Sequence, residues 1–472
     1  MIIERENPAC PTEIVGAVPV TAPDAVDAVV REAHKQFREW SGRSLPDRLA
    51  AIRTAATGLD VGTDALAALL ARESGKPVAD CRGEIGFAAT YLRWVADHGP
   101  EVFSATVIDD EQGRIGMSPK PFGVVVAITP WNAPIILSML KLGPALAAGN
   151  TVVLKPSPLA PLAVAEAAAL LPGTTVLHGG PDTVQALIAH PLVRKVAFTG
   201  GAAAGRSVAA AAGQAIKPVV LELGGNDPAV FLDDFALGPA DYERLVLASF
   251  ATAGQVCMAA KRLYVPADRT DEFIDAYLAA AQRILIVGDP VDETVTMGPV
   301  VTRAAMERIT GLVTDARNRG GRIVPLAAAP DSDGYFLEPV LALHLPDDAD
   351  LVRHEQFGPA VPILSYRTED EALTRANDSD LGLAASVWSA DEDRAFAFAA
   401  QLEAGFTFIN THNRTGMSLR APFGGTKHSG YGREYAEEGL REYVQTVVTH
   451  APVAFRAGGA GLPARAYPPA LH

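Results

Sequence analysis

The sequence predicts an α/β protein built on a doubly wound parallel sheet, and three observations carry that prediction. Residues 122–128 (FGVVVAI) form a continuous β-branched run, as expected of a strand buried on both faces. From there to residue 221, strand-like runs alternate with Ala-rich helical stretches at the spacing of βα units. A second alternation of the same kind occupies residues 226–410. The 472 residues are 49% hydrophobic and 20% charged, which supplies large cores and excludes disorder for most of the chain.

The elements follow in order. Residues 21–100 read as helices. After Pro23-Asp24, with Asp24 as N-cap, Val26, Val29, Val30, Ala33 and Phe37 recur at helical spacing. Further helical patterns cover 46–56, 65–71 and 84–95. Residues 102–108 and 114–118 read as two strands of a hairpin around Asp109-Asp110-Glu111-Gln112-Gly113. Strands are then expected at 151–154, 174–177, 195–198 and 218–221, with helices at 135–148, 162–171, 181–189 and 205–212. In the second alternation, 262–265, 360–366 and 406–409 read as strands. Residues 451–472, rich in Gly, Pro and Ala and without period, read as a surface tail.

Charge and composition remove several function classes. Forty Lys and Arg against 55 Asp and Glu give a net charge of −15, which argues against a nucleic-acid partner. No apolar run approaches the ~18 residues of a membrane span, and the start, MIIERENPAC, shows no secretory signal. Cys10, Cys81 and Cys257 make neither a disulfide framework nor a spaced zinc site, so no metal is expected. The expectation is a cytoplasmic enzyme.

Several residues stand where chemistry would be placed. Gly200 and Gly205 follow the strand 195–198 at a strand-to-helix turn, where backbone amides and the helix dipole favour a pyrophosphate, or where Gly is simply steric. Lys155 ends a parallel strand, at the edge where such sheets bind ligands, and reads equally as a solvated lysine. Cys257 is either a small core residue or a nucleophile. Glu222, after a buried-type strand, is either paired or tuned by desolvation toward general-base work. The Asn132 amide suits a turn cap or an oxyanion donor.

Together these segments resemble the aldehyde dehydrogenase superfamily. The matching pieces are Thr129-Pro-Trp-Asn132, Gly143-Pro-Ala-Leu-Ala-Ala-Gly-Asn150, Val153-Leu-Lys-Pro156, Phe198-Thr-Gly200, Leu221-Glu-Leu-Gly-Gly225 and Gly254-Gln-Val-Cys257. Glu355-Gln-Phe-Gly-Pro359 and Pro422-Phe-Gly-Gly425 with Lys427 and Ser429-Gly430 follow, in order, over residues 10–450. The resemblance implies the fold of that superfamily: a Rossmann-like cofactor domain (1–101 and 121–225), an α/β catalytic domain (226–411) and a small β oligomerisation element (102–120 and 442–450). Residues 412–441 would return to the cofactor domain.

The resemblance also assigns roles. Cys257 would add to the aldehyde to give a thiohemiacetal and then a thioester. Asn132 and the Cys257 N–H would hold the oxyanion, and Glu222 would activate the hydrolytic water, with Lys141 and Glu434 assisting proton transfer. Lys155 would reach the adenosine ribose, with Ser157 placed to donate to a 2′-phosphate, Glu355 would reach the nicotinamide ribose, Phe357 would pack by the nicotinamide and Trp131 would line the cleft. Gly200, Gly201, Gly205 and Leu223 would border the pyrophosphate. Ile136, Leu137, Met139, Leu140, Ala251, Met258 and His412 would line the substrate tunnel, with Arg414 nearby. Many NAD-using members carry Glu where this chain has Pro158. NADP therefore stays open, but no nearby Arg replaces that Glu, and the balance falls on NAD. The implied partners are a small aldehyde, apolar in preference to carboxylated, and copies of the chain itself as a homodimer or homotetramer. The alternatives are a CoA-acylating enzyme, disfavoured by Glu222; a retired NAD-binding scaffold, disfavoured by the joint presence of Cys257, Asn132 and Glu222; and a thiol hydrolase, which would leave Lys155, Glu355 and the Gly200 turn without a role.

Overall fold

The computed structural model describes residues 1–453. A six-stranded sheet runs in the order Gly430–Tyr431, Val219–Glu222, Val193–Thr199, Val124–Ile128, Thr151–Lys155 and Thr174–Val176. All neighbours are parallel except Gly430–Tyr431, which pairs antiparallel with Val219–Glu222. Every residue of Val124–Ile128 is buried. Its alternate side chains feed two cores: Val125 and Ala127 pack with the helices Leu45–Ser74, Val78–Phe103 and Pro134–Ala147, while Val124, Val126 and Ile128 pack with Val26, Val30, Leu187 and Val208. The continuous apolar run thus follows from helices on both faces.

A seven-stranded sheet holds Arg322–Pro325, Val340–Leu343, Ala360–Tyr366, Arg262–Pro266, Pro228–Phe231, Ala384–Trp388 and Phe406–Ile409, in that order. Only the edge strand Arg322–Pro325 is antiparallel. It too divides its side chains, with Phe231, Leu263 and Val265 on one face and Val230 and Tyr264 on the other. A third sheet, Thr106–Asp110, Gly113–Pro121 and Val444–Pro452, is antiparallel, and it exposes Val107, Ile108, Val447 and Val448. No helix among the described residues is long and apolar enough to cross a membrane.

Four details differ from the sequence reading. The patterns at 46–56 and 65–71 are one helix of 30 residues, Leu45–Ser74, in which Gly58 lets Leu170 approach. Val102 and Phe103 finish the helix Val78–Phe103 instead of opening a strand, because both are buried in its core. An N-terminal hairpin, Ile2–Asn7 with Cys10–Pro19, was not anticipated; Arg5 fastens it by donating to the carbonyls of Glu73 and Val301. The strand Val444–Pro452 also claims the first two residues of the expected tail. The remainder of that tail, from residue 454, lies outside the described residues.

Candidate active site

The carboxyl ends of the parallel strands gather the polar residues. Glu222, Lys155 and Thr199 each end a strand, and Asn132 lies in the turn after Val124–Ile128. Cys257 lies between the helix Pro239–Phe250 and the strand Arg262–Pro266. Just before it, Thr252, Ala253 and Gly254 all take positive φ, 55°, 54° and 70°. The two non-glycine residues cost about 1–2 kcal/mol each in that region and persist where neighbours over-determine them. Gln255 does so. Its backbone N–H and its Nε2 donate to the Thr252 carbonyl at 3.0 Å each, and its Oε1 accepts from the Val301 N–H at 3.0 Å. A Cβ on Gly254 would stand 2.4 Å from the Gly358 carbonyl oxygen, so glycine is required there twice over.

Cys257 is a free, partly exposed thiol. Burial pushes the thiol up to about 12, while Lys261 pulls the other way and Glu355, Asp227 and Glu222 reinforce the rise. Its backbone N–H makes no hydrogen bond among the described residues. Asn132 donates one amide hydrogen to the Gln255 carbonyl at 3.0 Å, which leaves the second free beside the same loop. The helix Pro134–Ala147 has no side-chain cap of its own. Glu84 fills that role from the helix Val78–Phe103, accepting from the N–H groups of Ile135 at 2.7 Å and Ile136 at 3.1 Å. Its other oxygen meets the buried Lys76 ammonium.

A cavity of about 430 Å³ opens beside Asn132, walled by Phe87, Ile136, Thr252, Val256, Met258 and Tyr435. Lys76, Asp80, Glu84 and Arg414 are its charged lining, and Arg414 donates to Asp80 at 2.8 Å. Ile136 and Met258 therefore stand where the tunnel was expected. Met139 and Leu140 do not: a turn further along the helix, they are sealed in the core. Ala251 is buried, with Thr252 in the wall in its place. His412 is buried too, its Nδ1 2.7 Å from Ser386 Oγ, and Asn413 takes the wall position. Burial, then Lys261, holds the His412 ring down to about 3, so it is neutral.

Glu222 is 4% exposed, and its Oε1 has no hydrogen-bond partner among the described residues. Burial raises its affinity for a proton well above the ordinary carboxylate range; Glu434 adds to this, and Lys141 and Arg433 oppose it. Lys141, fully buried, donates to Glu434 at 2.5 Å and to Thr199 Oγ1 at 2.6 Å. The structure thus brings Glu222, Lys141 and Glu434 into one electrostatic group.

On the cofactor side, Lys155 is 9% exposed and makes no hydrogen bond or ion pair through its ammonium among the described residues. Burial, then Lys155, keeps the nearby His178 ring below its ordinary value, and its Nδ1 is buried without a partner. Ser157 Oγ accepts from the Leu159 N–H at 3.2 Å, which leaves the hydroxyl hydrogen to donate. The glycines divide in a way the sequence did not reveal. Gly200 uses its N–H on the Glu222 carbonyl at 3.0 Å, and Gly205 is buried to make room for Leu223, whose methyl a Cβ would meet at 2.5 Å. Only Gly201 is open, at the start of the 13-residue helix Ala202–Gln214. Trp131 and Phe357 meet edge to face at 5.7 Å. Glu355 accepts from the Gly225 N–H at 3.2 Å and stands 3.3 Å from Lys261. A buried lysine and a buried ring nitrogen without partners, together with an open helix N-terminus, fit a nicotinamide dinucleotide.

Sequence reasoning missed Lys76, Glu84, Thr199, Lys261 and Tyr435. Lys261 alone had a local signal, a cation four residues after the thiol.

A model of the aldehyde dehydrogenase family matches residues 1–449. The succinate-semialdehyde dehydrogenase [NADP(+)] of Escherichia coli is 35% identical over 452 residues, covering 94% of this chain and 93% of that protein. The glutarate-semialdehyde dehydrogenase of Pseudomonas aeruginosa is 35% identical over 454 residues, covering 94% and 92%. The crystal structure of succinic semialdehyde dehydrogenase from Streptococcus pyogenes, in complex with NADP+, superposes with a TM-score of 0.90 at 29% identity, covering 95% of this chain and all of that one (100%). The chain belongs to the aldehyde dehydrogenase family and is an oxidoreductase acting on aldehyde groups with a nicotinamide cofactor.

Proposed function

We propose that this chain oxidises an aldehyde bearing a carboxylate, an ω-semialdehyde, to the diacid. The observation that carries the reading is the cavity itself, which joins Asn132 and the Cys257 loop to the guanidinium of Arg414. The names of the relatives support this carboxylated class over the apolar aldehyde that the sequence favoured. The apolar reading keeps one observation in its favour: both cations in the lining are already paired, Arg414 with Asp80 and Lys76 with Glu84.

In this reading the Cys257 sulfur, having lost its proton, adds to the aldehyde carbon. The carbonyl oxygen takes up the electron pair and is met by the second Asn132 amide hydrogen and the free Cys257 N–H, with each such donor worth about 3–4 kcal/mol in the transition state. Bound NAD(P)+ supplies the hydride acceptor. Glu222 takes a proton from water, the hydroxide adds to the resulting thioester, and the C–S bond breaks to return the thiolate and release the acid. The raised proton affinity of Glu222 suits that step, and the buried Lys141–Glu434 pair beside it gives the proton an exit.

Lys155, Ser157 and the Gly201 turn would hold the cofactor's adenosine and phosphate end, and Glu355 its nicotinamide ribose. For the cofactor we infer NADP+, reversing the lean of the sequence. No carboxylate follows Lys155, Ser157 retains a donor, His178 offers an unpartnered ring nitrogen, and relatives are named for NADP(+). The exposed apolar side chains of the three-stranded sheet favour a homodimer or homotetramer. The test is kcat/KM for succinate and glutarate semialdehydes against butanal and pentanal, each with NAD+ and NADP+, alongside Cys257→Ala. Preference for the carboxylated pair, lost with Cys257, supports the reading; equal or better turnover of the plain aldehydes refutes it.

A further inference from the structure

We propose that Lys261 is a positioning residue for the nucleophile: its buried ammonium ties the Cys257 carbonyl to Glu355 and sets a positive charge beside the thiolate. This rests on Cys257 being the nucleophile. Lys261 is 1% exposed, lies four residues after Cys257, donates through Nζ to the Cys257 carbonyl and stands 3.3 Å from Glu355 Oε1. Its backbone is fixed on both sides, donating to the Asp227 carbonyl at 3.0 Å and accepting from Gln356 Nε2 at 3.1 Å. A buried ammonium is expensive unless well compensated, and here compensation is incomplete. Glu355 is partly exposed, and neither Asp227 oxygen has a side-chain hydrogen-bond partner among the described residues.

The thiol's other neighbours explain what the cation adds. Glu222 faces it from the end of Val219–Glu222, Asp227 from the segment that follows, Glu355 from the turn before Ala360–Tyr366 and Tyr435 from the far end of the chain. His412, packed near Lys261, is neutral. The carboxyls of Glu355, Asp227 and Glu222 resist a thiolate when charged, and Lys261 is the cation among the groups that act on the thiol most strongly. Its hold on the carbonyl restrains the residue that carries both the thiol and, in the preceding peptide, the N–H left free for the substrate oxygen.

The experiment is site-resolved alkylation of Cys257 by iodoacetamide in the cofactor-free chain across a pH series, with Cys257 modification read by mass spectrometry. Lys261→Met removes donor and charge, whereas Lys261→Gln keeps a donor without the charge. The expected result is alkylation about tenfold slower than wild type at each pH from neutral to mildly alkaline in both variants. A wild-type profile in Lys261→Gln overturns the proposal, since a neutral donor would then suffice. If Lys261→Met does not fold, the near-isosteric Gln variant carries the test alone. Turnover by Cys257→Ala would instead remove the nucleophile reading, a result that alkylation of the wild-type thiol does not produce.

Discussion

Glu222→Gln separates the reactivity of a buried carboxyl from its cost to the fold. The Glu222 carboxyl is buried with one oxygen unpartnered, and its proton affinity is raised far above the unfolded value of 4.5 by burial and then by Glu434. Above pH 4.5, the folded chain therefore keeps a proton that the unfolded chain has released. Folded chain binds more protons, so stability falls as pH rises, by about 1.4 kcal/mol per pH unit until the folded-state value is passed. Gln carries no such linkage. Relative to wild type, the variant should gain stability as pH rises above the unfolded value, with a limiting slope of about 1.4 kcal/mol per pH unit while the folded carboxyl keeps its proton. Asp227 and Glu73, both pushed up to about 7 by burial, add slopes of the same sign that cancel in the difference. Urea midpoints of the two proteins over a pH series measure the gain. In the same variant, thioester formation should survive while its hydrolysis slows by about 10²–10⁴, giving one equivalent of reduced cofactor per site and then a slow phase. A stability difference that stays flat with pH, or an unchanged steady rate, would falsify the general-base assignment.

Glu84→Gln should leave the Lys76 ammonium buried without its counter-charge and weaken the cap on Ile135 and Ile136. About 3–5 kcal/mol of stability is expected to go, and kcat with it, measured by thermal midpoint and steady-state kinetics. Pro158→Glu places a carboxylate at an exposed position three residues after Lys155. It should raise the KM for NADP+ about tenfold or more by like-charge repulsion while changing that for NAD+ less than about threefold; equal effects on the two cofactors would refute the NADP+ reading.

The first parallel sheet was legible because burial on both faces leaves β-branched runs that no helix period disturbs, but in the second only 262–265, 360–366 and 406–409 were read, and 228–231, 322–325, 340–343 and 384–388 were not. The N-terminal hairpin was not, since its side chains alternate between exposed and partly buried and carry weak hydrophobic contrast. Cys257, Asn132 and Glu222 were legible through short motifs set by backbone geometry, as the positive φ values before Cys257 show. What failed was position across a helix or around a loop. Met139 and Leu140 share Ile136's face of the helix, yet only the first turn reaches the cavity. Likewise, Thr252 and Asn413 displace Ala251 and His412 by a single residue each. The glycines misled for a related reason: Gly205 serves a packed leucine, and sequence spacing does not distinguish room for a ligand from room for a methyl group.

The contacts that hold the candidates share one property: Lys261 apart, each reaches a candidate from a distant part of the chain. Glu84 caps the helix that follows Asn132, 51 residues away, and Val301 secures Gln255 from 46 residues away. Glu434 neutralises Lys141 from 293 residues away. Glu355 reaches the Gly225 amide across 130 residues, and Lys261 joins it to the Cys257 carbonyl. Left to local preferences, the strained Thr252–Ala253 turn and the unpartnered Glu222 would relax. Both are held by contacts from elsewhere in the chain, Val301 on Gln255 and the Lys141–Glu434 pair beside Glu222, so neither distortion can be released without disturbing a distant segment. That arrangement makes the active geometry a product of tertiary docking, and it explains why motifs announce the reacting groups while the contacts that hold them ready are visible only once the chain is folded.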